Sequence, residues 1–283
     1  AMTQFERIAD NAGDNTDVRA EAMFYKAMCS LKLDNGNAEE QVAEYLRQYP
    51  ESSFRNRALF EEAVYLFDKK KYPALLKAMD DIDKTSLSQE DLAHFHYMRG
   101  YANFEKEKFD AALTDFAEIK DGNSLYAAPA GYYSGHINYL NNNYETALKE
   151  FLKLQKNPVF EKVIPFYISQ IYYKQGKYRE TVDYTAPIIN HVTVDQQPEL
   201  ARLLGNSYFH LREFKNAIQF LEFYLLDKNN KGREENYMLG YCYYLDSNEA
   251  KAIPYLEIAS KGKDELAQNA YYQLGNAYLE VGK

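Results

Sequence analysis

The stretch Tyr271-Tyr272-Gln273-Leu274-Gly275-Asn276-Ala277-Tyr278 decides the fold, because near-copies of it run back through the chain. Its small residue recurs as Ala27, Ala63, Gly100, Gly135, Ser169, Gly205, Gly240 and Gly275, at steps of 36, 37, 35, 34, 36, 35 and 35. A fixed period of this size is the mark of stacked helical hairpins. The small residue lies on the first helix of each unit, helix A. An aromatic then marks the turn, as Tyr72, Phe109, Tyr144, Tyr178 and Phe214. Three residues on stand Leu75, Ala112, Ala147, Thr181 and Ala217, and large apolar residues follow, as in Phe116 with Ile119 and Phe151 with Leu154. That spacing is one apolar face of a second helix, helix B. Glycine inside a helix costs roughly 1 kcal/mol of propensity. Its recurrence therefore predicts a close approach of helix B that a side chain would block.

These residues resemble the tetratricopeptide repeat family, whose unit has Leu-Gly, an aromatic, Ala, a large apolar residue and a closing Pro. Leu204-Gly205-Tyr208-Phe214-Ala217-Leu221 follows that order, and so does Leu239-Gly240-Tyr243-Ala252-Leu256-Ala259, with Glu249 in place of the turn aromatic. Tyr and Phe stand where the family has Trp, and the closing Pro survives as Pro50 and Pro158. The first unit, Ala27 to Pro50, fits once one residue is dropped from its turn. The resemblance implies an all-α fold, a right-handed α-α superhelix of about seven complete hairpins with partial units at both ends. The expected hairpins are 20–50, 56–84, 92–121, 128–156, 162–191, 198–229 and 233–261, with a final helix A over 265–282. They form one solenoid over 1–283. Pro187 and Pro254 fall inside B helices and should end or kink them. Loops are expected at Asp83 to Glu90, Asp121 to Ala128 and Val192 to Pro198. Phe5 and Ile8 read as the end of a helix B without its partner, and Gly282-Lys283 as the start of a turn. The chain thus reads as a fragment of a longer array, or as one with apolar ends open to end-to-end or homodimer contact.

A second resemblance is local. Tyr49-Pro50-Glu51-Ser52-Ser53-Phe54, followed by Arg57-Ala58, is similar to the hairpin junction of bacterial cell-envelope repeat proteins. It implies a periplasmic or cell-envelope setting; a cytoplasmic one stays open.

Composition narrows function. The net charge is −9 and no Lys/Arg cluster offsets it, which argues against a nucleic-acid partner. No apolar run approaches the roughly 18 residues that span a bilayer. The two cysteines, Cys29 and Cys242, lie six repeats apart, too far for a disulfide whose Cα atoms must come within about 7 Å. There is no Gly-rich phosphate loop and no His-Glu-x-x-His. His94 and His96 are two apart on one helix and face different ways, so they cannot share a metal. His136, His191 and His210 are isolated in sequence. The sequence offers no catalytic set, no metal site and no cofactor site.

In the repeat family helix A lines the concave side, at positions three before, one after and four after the small residue. In this chain seven of eight, two of eight and six of eight of those positions are aromatic, against 15% of the whole chain. The candidate partner-binding residues are Tyr97, Tyr101, Tyr132, His136, Tyr139, Gln170, Tyr173, Arg202, Asn206, Tyr237, Tyr241 and Tyr244. Packing between neighbouring A helices explains part of this enrichment. The tyrosines fit recognition better, since each supplies a ring and a hydroxyl with few rotatable bonds. Some family members clamp a peptide C-terminal carboxylate with basic and Asn side chains. Here Arg202 and Asn206 take the first two places, but Met238, Asn269 and Gln273 follow, so the clamp is read as absent. The expected function is a non-enzymatic scaffold holding a protein or peptide, extended or helical, in an aromatic-rich groove. The alternative is a glycan- or peptidoglycan-binding accessory protein of the cell envelope.

Overall fold

The computed structural model describes residues 2–226 and 232–282. The end of the sixth expected hairpin, at 227–229, lies outside them. The described residues form sixteen α-helices, one 3₁₀ turn at Lys84–Ser86 and no strand. In chain order the helices are α1 Met2–Asn11, α2 Thr16–Lys32, α3 Ala38–Gln48, α4 Arg55–Asp68, α5 Tyr72–Met79, α6 Gln89–Glu105, α7 Phe109–Ile119 and α8 Ala127–Leu140. They continue with α9 Tyr144–Leu154, α10 Ile164–Lys174, α11 Tyr178–Thr185, α12 Gln197–His210, α13 Phe214–Leu225, α14 Arg233–Leu245, α15 Glu249–Ala259 and α16 Glu265–Glu280. Even-numbered helices are A and odd-numbered ones B, so seven A/B pairs run from α2/α3 to α14/α15, flanked by α1 and α16. Two compact units divide inside α8: Ala1–Ile137 and Asn138–Lys283.

The periodic glycine does what its helix cost predicts. A Cβ built on Gly205 would lie 2.7 Å from Leu221 Cγ, and one on Gly240 2.8 Å from Leu256 Cγ. One on Gly100 would meet the Phe116 ring at 2.7 Å. In each case the neighbour lies sixteen residues on, in helix B. In the fifth repeat Ser169 takes the glycine's place, and Thr185, again sixteen on, donates from Oγ1 to Ser169 Oγ at 2.8 Å. A buried hydrogen bond there replaces an apolar contact.

The turn between A and B is equally regular. Seven residues after each small residue the backbone turns left-handed: Asp34, Lys70, Glu107, Asn142, Arg212 and Ser247 have φ of 53 to 60°, and Gly176 69°. The next N–H then reaches back five residues, as in Lys71 N to Leu66 O at 2.8 Å and Glu213 N to Tyr208 O at 2.9 Å. This is the Schellman closure of a helix C-terminus, which favours glycine. Only the fifth repeat, with Gly176, uses one among the seven A/B turns. A left-handed L-residue costs roughly 1–2 kcal/mol, partly returned by glycine's larger entropy loss. Lys70→Gly and Arg212→Gly should therefore each raise stability by about 0.5–1 kcal/mol. Urea midpoints followed by circular dichroism check this; a fall in both would refute the strain argument.

Unit 1 buries Phe24, Val42, Tyr45, Phe60, Leu75, Phe95, Met98 and Phe116 in successive layers between its helices. Unit 2 does the same with Leu200, Leu204, Leu221, Leu239, Cys242 and Leu256. Both cysteines are free thiols. Burial pushes the Cys242 thiol up to about 12, so at neutral pH it is a small apolar residue, not a nucleophile.

In the first hairpin α3 starts eleven residues after Ala27, where the later B helices start nine after their small residue. Its buried face, Ala38, Val42 and Tyr45, is nevertheless shifted by only one residue against Leu75, Met79 and Ile82, the single-residue change in the turn that the sequence indicates. Pro254 does not end its helix, since α15 runs on to Ala259. Its ring sits in the second turn, where the lost N–H removes a single intrahelical bond. Pro187 does act as a stop: α11 finishes at Thr185, two residues before it. The expected loops lie between helices except for their last two residues, since α6 opens at Gln89, α8 at Ala127 and α12 at Gln197.

Candidate functional site

Eleven of the twelve candidate residues are half-buried and Asn206 is buried. Each lies on an A helix, because three and four residues along a helix return to the same face.

In unit 1 the rings close on one another. Phe67 meets Tyr97 and Tyr101 edge-on, with centroids 6.0 and 5.6 Å away. Tyr101 meets Tyr133 at 5.1 Å and 82°, and Tyr97 stacks on Tyr126 at 5.3 Å. Burial pushes the hydroxyls of Tyr97 and Tyr101 well above the ordinary tyrosine range, and a hydrogen bond with Glu105 adds to the shift at Tyr101. On α8, Tyr132 and His136 meet edge-on at 6.0 Å, and Phe104 lies 5.8 Å from the imidazole. Burial lowers the pKa of His136, so at neutral pH the ring is uncharged. Tyr97 and Tyr101 therefore serve mainly as cement between α4, α6 and α8.

Unit 2 uses the equivalent repeat positions but mixes in polar links. Tyr139 Oη donates to Gln170 Oε1 at 2.6 Å, from α8 to α10. Burial pushes this hydroxyl up to about 12, so it stays protonated and donates. Asn206 Nδ2 donates to Tyr173 Oη at 3.2 Å, from α12 to α10. The Arg202 guanidinium lies 5.8 Å from the Tyr173 ring centre. Arg202 also donates to both carboxylate oxygens of Glu199, at 2.7 and 2.8 Å, and reaches Glu235 on α14 at 3.4 Å. Tyr237 and Tyr241 stack within 5° of parallel at 5.9 Å, and Phe209 meets Tyr241 at 6.1 Å. Tyr244 packs against the core of α14 and α15. From Tyr139 on α8 to α14, each A helix is thus joined to the next by at least one side-chain link.

Two properties of this face bear on its chemistry. Arg202, its one candidate cation, is already paired with two carboxylates. Asn206 is 1% exposed, and its Oδ1 is buried without a hydrogen-bond partner. Spacing alone missed Tyr126, Tyr133 and Tyr167, which join the aromatic network. Tyr133 and Tyr167 stand two residues before their small residue, one place beyond the three positions read from the sequence. His94 and His96 separate as expected: His94 stacks on Tyr126 at 4.5 Å, whereas His96 Nδ1 lies 2.9 Å from Asp115 Oδ1. Among the described residues no three His, Cys, Asp or Glu side chains gather as a metal set. No described helix is long and apolar enough to cross a membrane.

No protein-family model matches the chain, and no curated protein matches it. Solved structures do. The C-terminal part of a TPR repeat-containing protein from Cytophaga hutchinsonii is 16% identical, over 79% of this chain and 80% of that one, at a TM-score of 0.50. A signal-transduction ATPase of the STAND class from Pyrococcus horikoshii, with a tetratricopeptide repeat sensor, is 17% identical at a TM-score of 0.52. That match covers all of this chain and 49% of the ATPase. A tetratricopeptide repeat protein from Parabacteroides merdae gives 16% identity over 91% of this chain and 98% of that one, at a TM-score of 0.49. At such identities the likeness speaks to fold alone. The in-phase repeat, the glycine contacts with helix B and the first two of these structures agree, and the chain is a tetratricopeptide-repeat protein in fold.

Proposed function

We propose that the protein is a non-enzymatic scaffold that holds a peptide or helix of a partner protein against the aromatic A-helix face of unit 2. The carrying observation is the run from Tyr139 through Gln170, Tyr173 and Asn206 to Tyr237 and Tyr241. It offers half-exposed rings and hydroxyls, and its charge is already neutralised. Such a surface recognises apolar side chains and backbone amides rather than a charged terminus. That agrees with the missing carboxylate clamp. The non-enzymatic part rests on the groups present: tyrosine rings, amides and a paired arginine bring no activated nucleophile beside a base. The net charge of −9 supports a protein partner over a nucleic acid.

Selection of peptides from a displayed library on the immobilised protein tests the reading. Stacked aromatic contacts are worth roughly 0.5–1.5 kcal/mol each beyond burial. Tyr173→Ala with Tyr241→Ala should therefore weaken the enriched peptides by at least about tenfold. Helical content should stay near wild type. If no peptide is enriched over the double variant, or the variant melts far earlier, the face is packing and the proposal fails.

A further inference from the structure

On unit 2, away from the A-helix face, a cavity of about 320 Å³ opens between the segment after α11 and helices α12 and α13. Its size falls at the lower end of small-molecule sites, which run from about 300 to 1,000 Å³. The proline in the fifth repeat makes room for it. Helix α11 has eight residues, as α5 does, where α3, α7, α9 and α15 have eleven and α13 has twelve. Past Pro187 the chain runs in turns to α12, and the outer flank of α13 loses the wall that a full helix B would give.

The lining of this cavity is selective. Phe220 and Phe223 supply two aromatic residues to the lining, and Asn190, Gln197 and Gln219 supply three residues with side-chain amides. Tyr208 stacks on Phe220 at 5.7 Å and 12° and holds that ring in place, while Phe223 remains 44% exposed. The fold does not require an aromatic at 223. It stands two residues after the helix-B packing residue, Leu221, and the matching places after Phe116 and Phe151 hold Glu118 and Lys153. No charged side chain lines the cavity, so an ionic ligand finds no counter-charge. Each amide presents one acceptor oxygen and two N–H donors, which suits hydroxyls that both donate and accept. An exposed ring suits the apolar C–H face of a pyranose. A single small cavity also favours a compact ligand over an extended peptide, which needs several pockets in a row.

We propose that this cavity is a subsite for a neutral saccharide, with one pyranose ring on Phe223 and its hydroxyls shared among Asn190, Gln197 and Gln219. It is separate from the A-helix face and does not depend on the scaffold reading.

Calorimetric titration of the full chain with chitotetraose and with maltotetraose tests the proposal. One of the two should bind at millimolar affinity or tighter. Phe223→Ala and Gln219→Ala should each weaken that binding by at least about tenfold, the scale of one lost stacking or hydrogen-bonded contact. Both positions are exposed, so melting should not change, and Tyr173→Ala on the other face should bind as the wild type does. No heat with either sugar, binding that survives Phe223→Ala, or binding lost only in Tyr173→Ala would overturn it.

Discussion

Alanine at Gly205 or Gly240 should destabilise the protein by about 1–3 kcal/mol, while alanine at Gly275 should stabilise it by up to about 1 kcal/mol. All three glycines occupy the same repeat position inside an A helix, so helix propensity favours alanine equally at each. Contact decides the sign. At Gly205 the new methyl would lie 2.7 Å from Leu221 Cγ and 3.1 Å from the Leu221 backbone nitrogen. At Gly240 the figures are 2.8 Å and 3.1 Å against Leu256. The leucine tip can rotate, but the backbone nitrogen moves only with the whole of helix B. At Gly275 nothing described lies within 4 Å of an added Cβ, and Tyr271, Tyr272 and Leu279 on the same helix are well exposed. Urea midpoints for the three single variants settle it. Three shifts of the same sign would show that the small residue is not a packing device.

The period was the legible part of this protein, because stacking makes each hairpin repeat the same contacts. A reader of the sequence finds Gly100, Gly205 and Gly240 in phase and infers a close helix B. The structure returns Phe116, Leu221 and Leu256, all sixteen residues on. What is written once is harder to read. Ser169 with Thr185 shows only as an odd small residue until the hydrogen bond is seen. The boundary inside α8 is not legible, since Gly135, two residues before it, reads as the repeat's small residue and the helix runs on to Leu140.

The candidate face was legible in position but not in depth. Spacing puts Tyr97 and Tyr101 on an A helix of unit 1, at the repeat positions that Tyr173 and Tyr241 take in unit 2. It cannot say that Phe67, Tyr126 and Tyr133 close over the first pair, because those rings come from neighbouring helices. Nor can it say that Arg202 is spent on Glu199 and Glu235, although Glu199 three residues before it was a usable signal. Asp115 was missed altogether. An acid beside Phe116 reads as a solvated position in the middle of helix B, and only the arrival of α6 beside it shows otherwise.

Removing Asp115 should be among the costliest single changes to unit 1. Its carboxylate is 3% exposed and takes three donors. Arg99 Nε lies 3.0 and 2.9 Å from its two oxygens, Arg99 Nη2 lies 2.6 Å from Oδ1, and His96 Nδ1 lies 2.9 Å from the same oxygen. Burial alone would raise its pKa, but the hydrogen bonds from His96 and Arg99 outweigh burial and leave it below the usual aspartate value. Breaking one side of a buried pair typically costs 3–5 kcal/mol. Arg99 is 30% exposed and can rehydrate in part, so Asp115→Ala should cost about 2–3 kcal/mol at pH 7. A folded pKa below the unfolded one means stability that is present above the unfolded value, near 3.9. It is lost as pH falls through the folded value. The gap between wild type and Asp115→Ala should therefore narrow below about pH 4. Asp115→Leu combined with Arg99→Met should recover much of the loss, since no charge is then left without its partner. Urea titrations at pH 7 and pH 3 supply both readings. A loss under about 1 kcal/mol at pH 7, or one that persists undiminished at pH 3, would show that the shape of the side chain, not its charge, holds α6 to α7.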